Sequence, residues 1–268
     1  MFSRLSQILA GFRWAFRFDN PLEIITARHL FRRKSSIVVT YRGMDILIDS
    51  LTSDAHVVGD VLLDGMYDQF LREAGAGRKS FRYLNLGANI GTFDLRAFQT
   101  LGSSCAGIAV EMNPATCARL IVNLEANRLF TVRAINAAGW NIPGEITVDL
   151  RGRDTGQTCI DSAVGWSVPL VPWQEIFAIA SKEGPLDLVK IDIEGAEKCV
   201  VPCISAADAE RIRFLVVETH GPDARAVVNE HLQNLGFTRL SEEPGGGATH
   251  LGFWKGTGAA HIPSTSNL

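Results

Sequence analysis

Two strand ends gather the side chains best suited to chemistry. Residues 186–192 form a largely apolar run, interrupted by Asp187 and Lys190, that ends in Asp192 and is followed by Ile193-Glu194-Gly195-Ala196-Glu197. After Arg213, residues 214–217 form a second apolar run, followed by Glu218-Thr219-His220-Gly221. Glu218 and His220 are two apart, so on a strand they share a face. Carboxylates this close act as general base, as metal ligands or as a clamp on a cationic group. His220 stands beside them, and an imidazole has the proton affinity to take a proton from a hydroxyl. The blander readings are that Glu194 and Glu197 begin the next helix and favour its dipole, and that the histidine is structural. Asp192, Glu194 and His220 are the catalytic candidates, with His220 as general base. Asp192, Glu194, Glu218 and His220 have donor types that suit a metal, but their spacing fixes none, and no metal is assigned.

A ligand for these groups has to be held by the elements around them. Residues 82–92, RYLNLGANIGT, read as a strand end, a Gly-rich turn and the start of a helix. That unit opens nucleotide-binding α/β sheets. Glycine permits positive φ and close backbone approach, and the helix start offers unpaired N–H groups. No Gly-Lys-Ser/Thr closes the turn, so it is not a phosphate-binding Walker loop. Asn89 replaces the middle glycine of a dinucleotide fingerprint. The third reading is a site for S-adenosylmethionine (SAM), with Asn85, Gly87, Ala88, Asn89 and Gly91 as the cradle. The plainer alternative is a Gly-rich turn in an ordinary α/β protein. A small apolar strand, residues 105–110, ends in Glu111, about 20 residues after the turn, where an acidic residue accepts hydrogen bonds from ribose hydroxyls. Its alternative role is to cap the helix that starts at Asn113-Pro114. Residues 130–135 read as the third strand, with Asn136-Ala137-Ala138-Gly139 as a loop at the ligand-binding edge. Asn136 and Ala137 are the candidates for contact with an adenine.

Three blocks, LNLGANIGTFDL, AVEMNPATCARLIVNLEANR and LVKIDIEGAEKCVV, together resemble the FkbM-type SAM-dependent methyltransferases. The third block is the most specific. TSDAHVVGDVLLDGMYDQF upstream and FLVVETHG downstream resemble flanking segments of the same family, so the likeness runs over roughly residues 41–236. It implies a Rossmann-like sheet with helices on both faces, SAM as cofactor, and methylation of a hydroxyl on a small molecule, sugar or glycan. Asp192 would also lie against the cofactor. One position departs from the pattern: the family usually has Asp where this chain has Asn85. An amide can hydrogen-bond, but it cannot pair as a charge with the cofactor's ammonium.

Composition agrees with an α/β enzyme. The chain has 268 residues and is 46% apolar, enough for one large domain with a core. A net charge of −3 offers no basic field for nucleic acid. Five cysteines (105, 117, 159, 199 and 203) without regular spacing read as reduced thiols. No apolar run reaches membrane-span length, so a cytoplasmic protein is the default expectation.

Residues 1–36 read as an amphipathic, locally basic helical extension, with Phe2, Leu5, Leu9, Phe12 and Phe16 at helical spacing. Such a helix docks on the domain or on a second subunit of a homo-oligomer, or lies peripherally on a membrane. Residues 37–256 form the methyltransferase domain, beginning with a hairpin over 37–48 and helices after Ser53 and near Tyr67. Asp54 and Tyr67 are secondary candidates for the cofactor's border, with an N-cap and a core aromatic as their plainer roles. Residues 151–167 read as a long loop on the acceptor side, and 257–268 as a disordered tail. An NAD-linked oxidoreductase and a non-catalytic SAM-binding domain are the alternatives to methyl transfer.

Overall fold

The structure, a computed structural model, describes residues 12–26, 36–149, 159–160, 165–245 and 247–257. Seven strands form the central sheet: β3 (Phe81–Leu86), β4 (Cys105–Glu111), β5 (Val132–Asn136), β10 (Leu186–Ile191), β11 (Ile212–His220), β12 (Thr238–Pro244) and β13 (Thr249–Lys255). Their order across the sheet is β12-β13-β11-β10-β3-β4-β5. The five strands from β11 to β5 run parallel, and the hairpin β12–β13 closes the edge antiparallel. Strand β10 is buried at all six positions, as a central parallel strand covered on both faces must be. The chain steps outward from β3 to β4 and β5, then returns to β10 on the other side of β3. The switch point where ligands enter such sheets therefore lies between the carboxyl ends of β3 and β10.

Helices cover both faces. On one side lie α4 (Thr92–Leu101) and α5 (Pro114–Ala126), with Phe93, Leu95, Leu120 and Leu124 buried. The other side carries α6 (Trp173–Ala180) and α9 (Pro222–Asn234), which bury Trp173, Phe177, Val228 and Leu232. Before the sheet come α1 (Pro21–Ile25), the hairpin β1 (Ser36–Tyr41) and β2 (Met44–Asp49), α2 (Asp54–Val58) with a π-helical turn over Gly59–Leu63, and α3 (Asp68–Gly75). The hairpin packs Ile37, Val39, Ile46 and Ile48 into the first core. Its exposed edge is met by side-chain amides of α5. Asn123 pairs with both the N–H and the carbonyl of Leu47 (2.7 and 3.2 Å), and Asn127 does the same for Asp45 (3.0 and 2.7 Å). Two asparagines thus take the place of a neighbouring strand.

Several boundaries differ from the sequence reading. The loop expected over residues 136–139 shrinks to Ala137 alone, because β5 runs to Asn136 and β6 (Ala138–Trp140) starts at once. Strand β6 opens a second sheet with β7 (Gly144–Asp149), β8 (Cys159–Ile160) and β9 (Trp166–Pro172). The stretch expected as a long loop therefore contains β8 and the start of β9, while residues 150–158 and 161–164 lie outside the described residues. In the N-terminal extension, residues 1–11 and 27–35 lie outside the described residues. Ala15 and Phe18 join the core, whereas Phe16, expected on the apolar stripe, is 65% exposed. Phe18 rests edge-on against Tyr41, so the described end of this segment docks on the domain. The proposed tail begins at 257, and residues 258–268 lie outside the described residues. No helix among the described residues is long and apolar enough to cross a membrane.

Candidate active site

The Gly-rich turn is shaped from beneath. Leu86, the last residue of β3, pairs with Val110 on one side and Ile191 on the other. The N–H groups of Gly87 and Ala88 both donate to the carbonyl of Val110. Gly87 has φ +78°, and a Cβ there would overlap the carbonyl of Asp192. Its glycine is required by the β10 end pressed against it, as well as by the turn. Gly91, φ +87°, leads into α4 with its Cα facing Leu120. Asn89 adopts φ +51°, a left-handed conformation that asparagine tolerates better than most residues. Asn123 of α5 holds the turn from its far side through the carbonyl of Ile90 (2.8 Å).

Glu111 closes the turn from β4. One carboxylate oxygen accepts the Asn89 N–H (2.9 Å) and the other the Asn113 N–H (2.8 Å). Helix α5 is capped by Asn113 itself, whose side chain accepts the Ala115 and Thr116 N–H groups. The capping alternative for Glu111 thus belongs to its neighbour. Glu111 is 9% exposed, and burial pushes its carboxyl up to about 6 against the two backbone N–H groups that hold it down.

A cavity of about 720 Å³ opens at the switch point. Gly87, Ala88, Asn89, Glu111 and Ala137 line one part of it; Asp192, Glu194, Glu218 and His220 line another. Met112, Trp140, Ile146 and Leu170 form an apolar wall, contributed largely by the second sheet. Of the other expected contacts, Gly91 does not line the cavity. Asn136 does not either: its side chain donates to the carbonyls of Glu111 and Met112 and ties β4 to β5. Asn85 lies beneath the turn, fully buried, with its amide donating to Asp94 at 2.9 Å. Tyr83 donates to the other oxygen of Asp94, and burial raises that carboxyl to about 6 despite both donors. An aspartate at position 85 would set two buried carboxylates against each other, so the departure from the family pattern is matched by Asp94. Tyr67 borders the cavity, whereas Asp54 sits behind it, bridging the Asp49 N–H and Arg119.

The acidic end is organised by Glu197, which is fully buried at the first position of α7 (Glu197–Val200). Its Oε1 accepts the N–H groups of Ile193 and Gly195, 3.1 Å each, and faces His220 Nδ1 at 3.0 Å. These bonds fix a tight turn in which Glu194 takes φ +54°. Glu194 Oε2 then lies 3.4 Å from His220 Nε2. Burial alone would lower the His220 pKa, but the Glu197 hydrogen bond and charge, with Glu194 and Asp192, lift it to about 9. Burial would raise Glu197, and the His220 hydrogen bond and charge bring it down instead. These carboxylates favour the protonated imidazole, which weighs against the expected role of His220 as a free general base. Burial, followed by the charge of Asp192, pushes Glu218 up to about 7.

Lys190 was not among the expected site residues, although its alternation with Asp192 along β10 marks it. It is 3% exposed, and its ammonium reaches the Gly87 carbonyl (3.0 Å) and Asp192 Oδ2 (3.2 Å) over the Tyr67 ring. Glu197 was read mainly as a helix start. It is one, and it also builds the site.

The sequence matches the methyltransferase FkbM domain over residues 85–239, more than half of the chain. The chain belongs to the FkbM methyltransferase family. The family is one of SAM-dependent methyltransferases, and the cofactor it implies is S-adenosyl-L-methionine. No curated protein sequence matches it significantly. Among solved structures it is similar to the METTL16 methyltransferase domain, at 14% identity and a TM-score of 0.47, covering 71% of this chain and 66% of that one. A Streptococcus mutans protein assigned as a SAM-dependent methyltransferase gives 12% identity and 0.48, covering 83% and 56%. Aeropyrum pernix fibrillarin, in a complex with SAM, gives 11% identity and 0.44, covering 82% of both chains. The chain thus spans less than two thirds of the first two.

The donor set of the cavity fits this cofactor. A buried carboxylate for ribose hydroxyls sits at one end, and a carboxylate-rich cluster suited to a cationic centre at the other.

Proposed function

We propose that this member of the FkbM family transfers the methyl group of SAM to a hydroxyl oxygen of a small molecule, sugar or glycan. The observation that carries the reading is the convergence of Asp192, Glu194, Glu218 and His220 on the same cavity as Glu111 and the Gly-rich turn. When bound, the cofactor supplies an electrophilic methyl group. Glu111 would accept the ribose hydroxyls, the backbone of Gly87, Ala88 and Asn89 would border the methionine part, and Ala137 the adenine. Asp192 would face the cationic centre and take the proton that the acceptor hydroxyl loses as its O–C bond forms and the S–CH3 bond breaks, releasing S-adenosylhomocysteine. Lys190 holds Asp192 in place through their 3.2 Å contact. His220, as an imidazolium, donates to the acceptor rather than deprotonating it. Much of the rate comes from holding the acceptor oxygen in line with the bond that breaks. The apolar wall of Met112, Trp140, Ile146 and Leu170 supports an acceptor with an apolar face.

The test is S-adenosylhomocysteine formation across a panel of neutral glycosides and small alcohols, with wild type and Asp192→Asn. We expect turnover with at least one acceptor, lowered about a hundredfold or more in the variant, while SAM binding persists. Binding of SAM without turnover on any acceptor would favour a non-catalytic SAM-binding domain. Unchanged turnover in Asp192→Asn would remove Asp192 as proton acceptor.

A further inference from the structure

We propose that Asp192, Glu194 and His220 form a binding site for a divalent first-row cation, with coordination positions left open toward the cavity. One donor atom from each of the three lies within 4.8 Å of the others. Nitrogen and oxygen ligands bind such ions at about 2.0–2.2 Å, so neighbouring ligands on one ion stand about 3 Å apart. The 3.4 Å between His220 Nε2 and Glu194 Oε2 is that spacing, before any adjustment by the half-exposed Glu194 side chain.

The imidazole also presents the correct nitrogen. Its Nδ1 is held at 3.0 Å by Glu197, a carboxylate with no exposed surface. A carboxylate behind a histidine fixes the Nδ1–H tautomer, points the Nε2 lone pair at the ion and makes it a stronger ligand. A second observation calls for a cation independently of the ligand spacing. Glu197 Oε2 is buried and has no hydrogen-bond partner among the described residues. Glu197 is paired through Oε1 alone, so this buried carboxylate is only partly compensated, and a cation beyond the imidazole adds to that compensation. Asp192, Glu194 and Glu197 together outnumber the positive charges beside them, His220 and Lys190. Lys190 is already engaged with the Gly87 carbonyl and Asp192. A divalent ion in place of the single Nε2 proton brings this cluster closer to neutrality.

Two carboxylates and one imidazole suit Mn2+ or a similar ion better than a thiolate-seeking metal. All three ligands line the cavity, so an acceptor oxygen can reach an open position, where the ion would acidify its hydroxyl. That consequence rests on the proposed methyl transfer, with the ion replacing the His220 Nε2 proton as the group that faces the acceptor; the cation site itself does not rest on it.

The test is titration of the full chain with Mn2+, followed by electron paramagnetic resonance of the free ion, with a separate SAM titration of the metal-free protein. We expect one Mn2+ per chain, bound at least tenfold more weakly by Glu194→Gln and by His220→Ala, and about tenfold more weakly by Glu197→Gln. Glu194→Gln is the decisive variant, because its side chain is 52% exposed and the fold does not depend on it. Glu183→Gln, at a side chain 80% exposed away from the cluster, should bind as wild type does. Absence of saturable Mn2+ binding, or an affinity unmoved by both Glu194→Gln and His220→Ala, would overturn the site. SAM binding without Mn2+ binding overturns the cation site and leaves methyl transfer standing. Mn2+ binding without SAM binding does the reverse.

Discussion

Glu197 does not line the cavity, yet two backbone N–H groups and the His220 imidazole converge on its Oε1. Glu197→Gln keeps an acceptor but loses the charge, leaving a buried imidazole without its counter-ion. Its cost should be on the order of 2 kcal/mol of unfolding free energy, read from urea denaturation; a variant as stable as wild type would contradict the organising role. Gly87→Ala should be harsher, because the Asp192 carbonyl occupies the position of the new Cβ and φ is +78°. We expect loss of SAM binding and a drop of about 2 kcal/mol or more in stability; normal SAM binding by a fully folded variant would show that the turn is not locked as described.

Asp94 gives the residue scale a pH signature. Burial raises it from the model-peptide value of 3.8 to about 6. The folded state thus binds the proton more tightly than the unfolded state between those values. Stability from this group is present at low pH, falls as pH rises from about 4 to about 6, and stays lowered above that. Asp94→Asn cannot titrate and keeps a carbonyl for the Asn85 amide. Denaturation at pH 4.5 and 7.5 should show a smaller loss of stability with rising pH in the variant than in wild type. An equal loss in both would place the titration elsewhere.

At the scale of elements, the hairpin, α5 and the Gly-rich turn form one unit through Asn123, which bonds Leu47 on the hairpin and Ile90 on the turn. Asn123→Ala would strand the backbone groups of half-buried Leu47 and buried Ile90. It should lower stability by about 1–3 kcal/mol and weaken SAM binding with it; lost stability with unchanged SAM affinity would show that hairpin and turn are not coupled. The strand–turn–helix at β3 and the acidic ends of β4, β10 and β11 were legible in the sequence, because largely apolar runs that stop at polar residues mark buried parallel strands. The second sheet was only partly legible. Its strands are short, and β6 follows β5 after a single residue, so Asn136 and Gly139 read as a loop although they lie in strands. The contacts of Asn85, Asn123 and Glu197 were not legible either. Each depends on which side chain another element brings opposite, and no local spacing encodes that.

At the scale of the whole molecule, the strand order places one cavity where β3 and β10 part. One end of it is built by backbone and Glu111, the other by carboxylates and His220. Because the unfolded chain has no such cavity, SAM at 100 times its dissociation constant should raise stability by about 2.7 kcal/mol. The most direct measurement is calorimetric titration of SAM into the full chain and into Glu111→Gln. The account predicts saturable binding with one site per chain, weakened tenfold or more in the variant, as expected for losing a charged acceptor of ribose hydroxyls. Saturable binding of equal strength in both proteins, or none in a folded wild type, would contradict the assignment of this cavity to the cofactor.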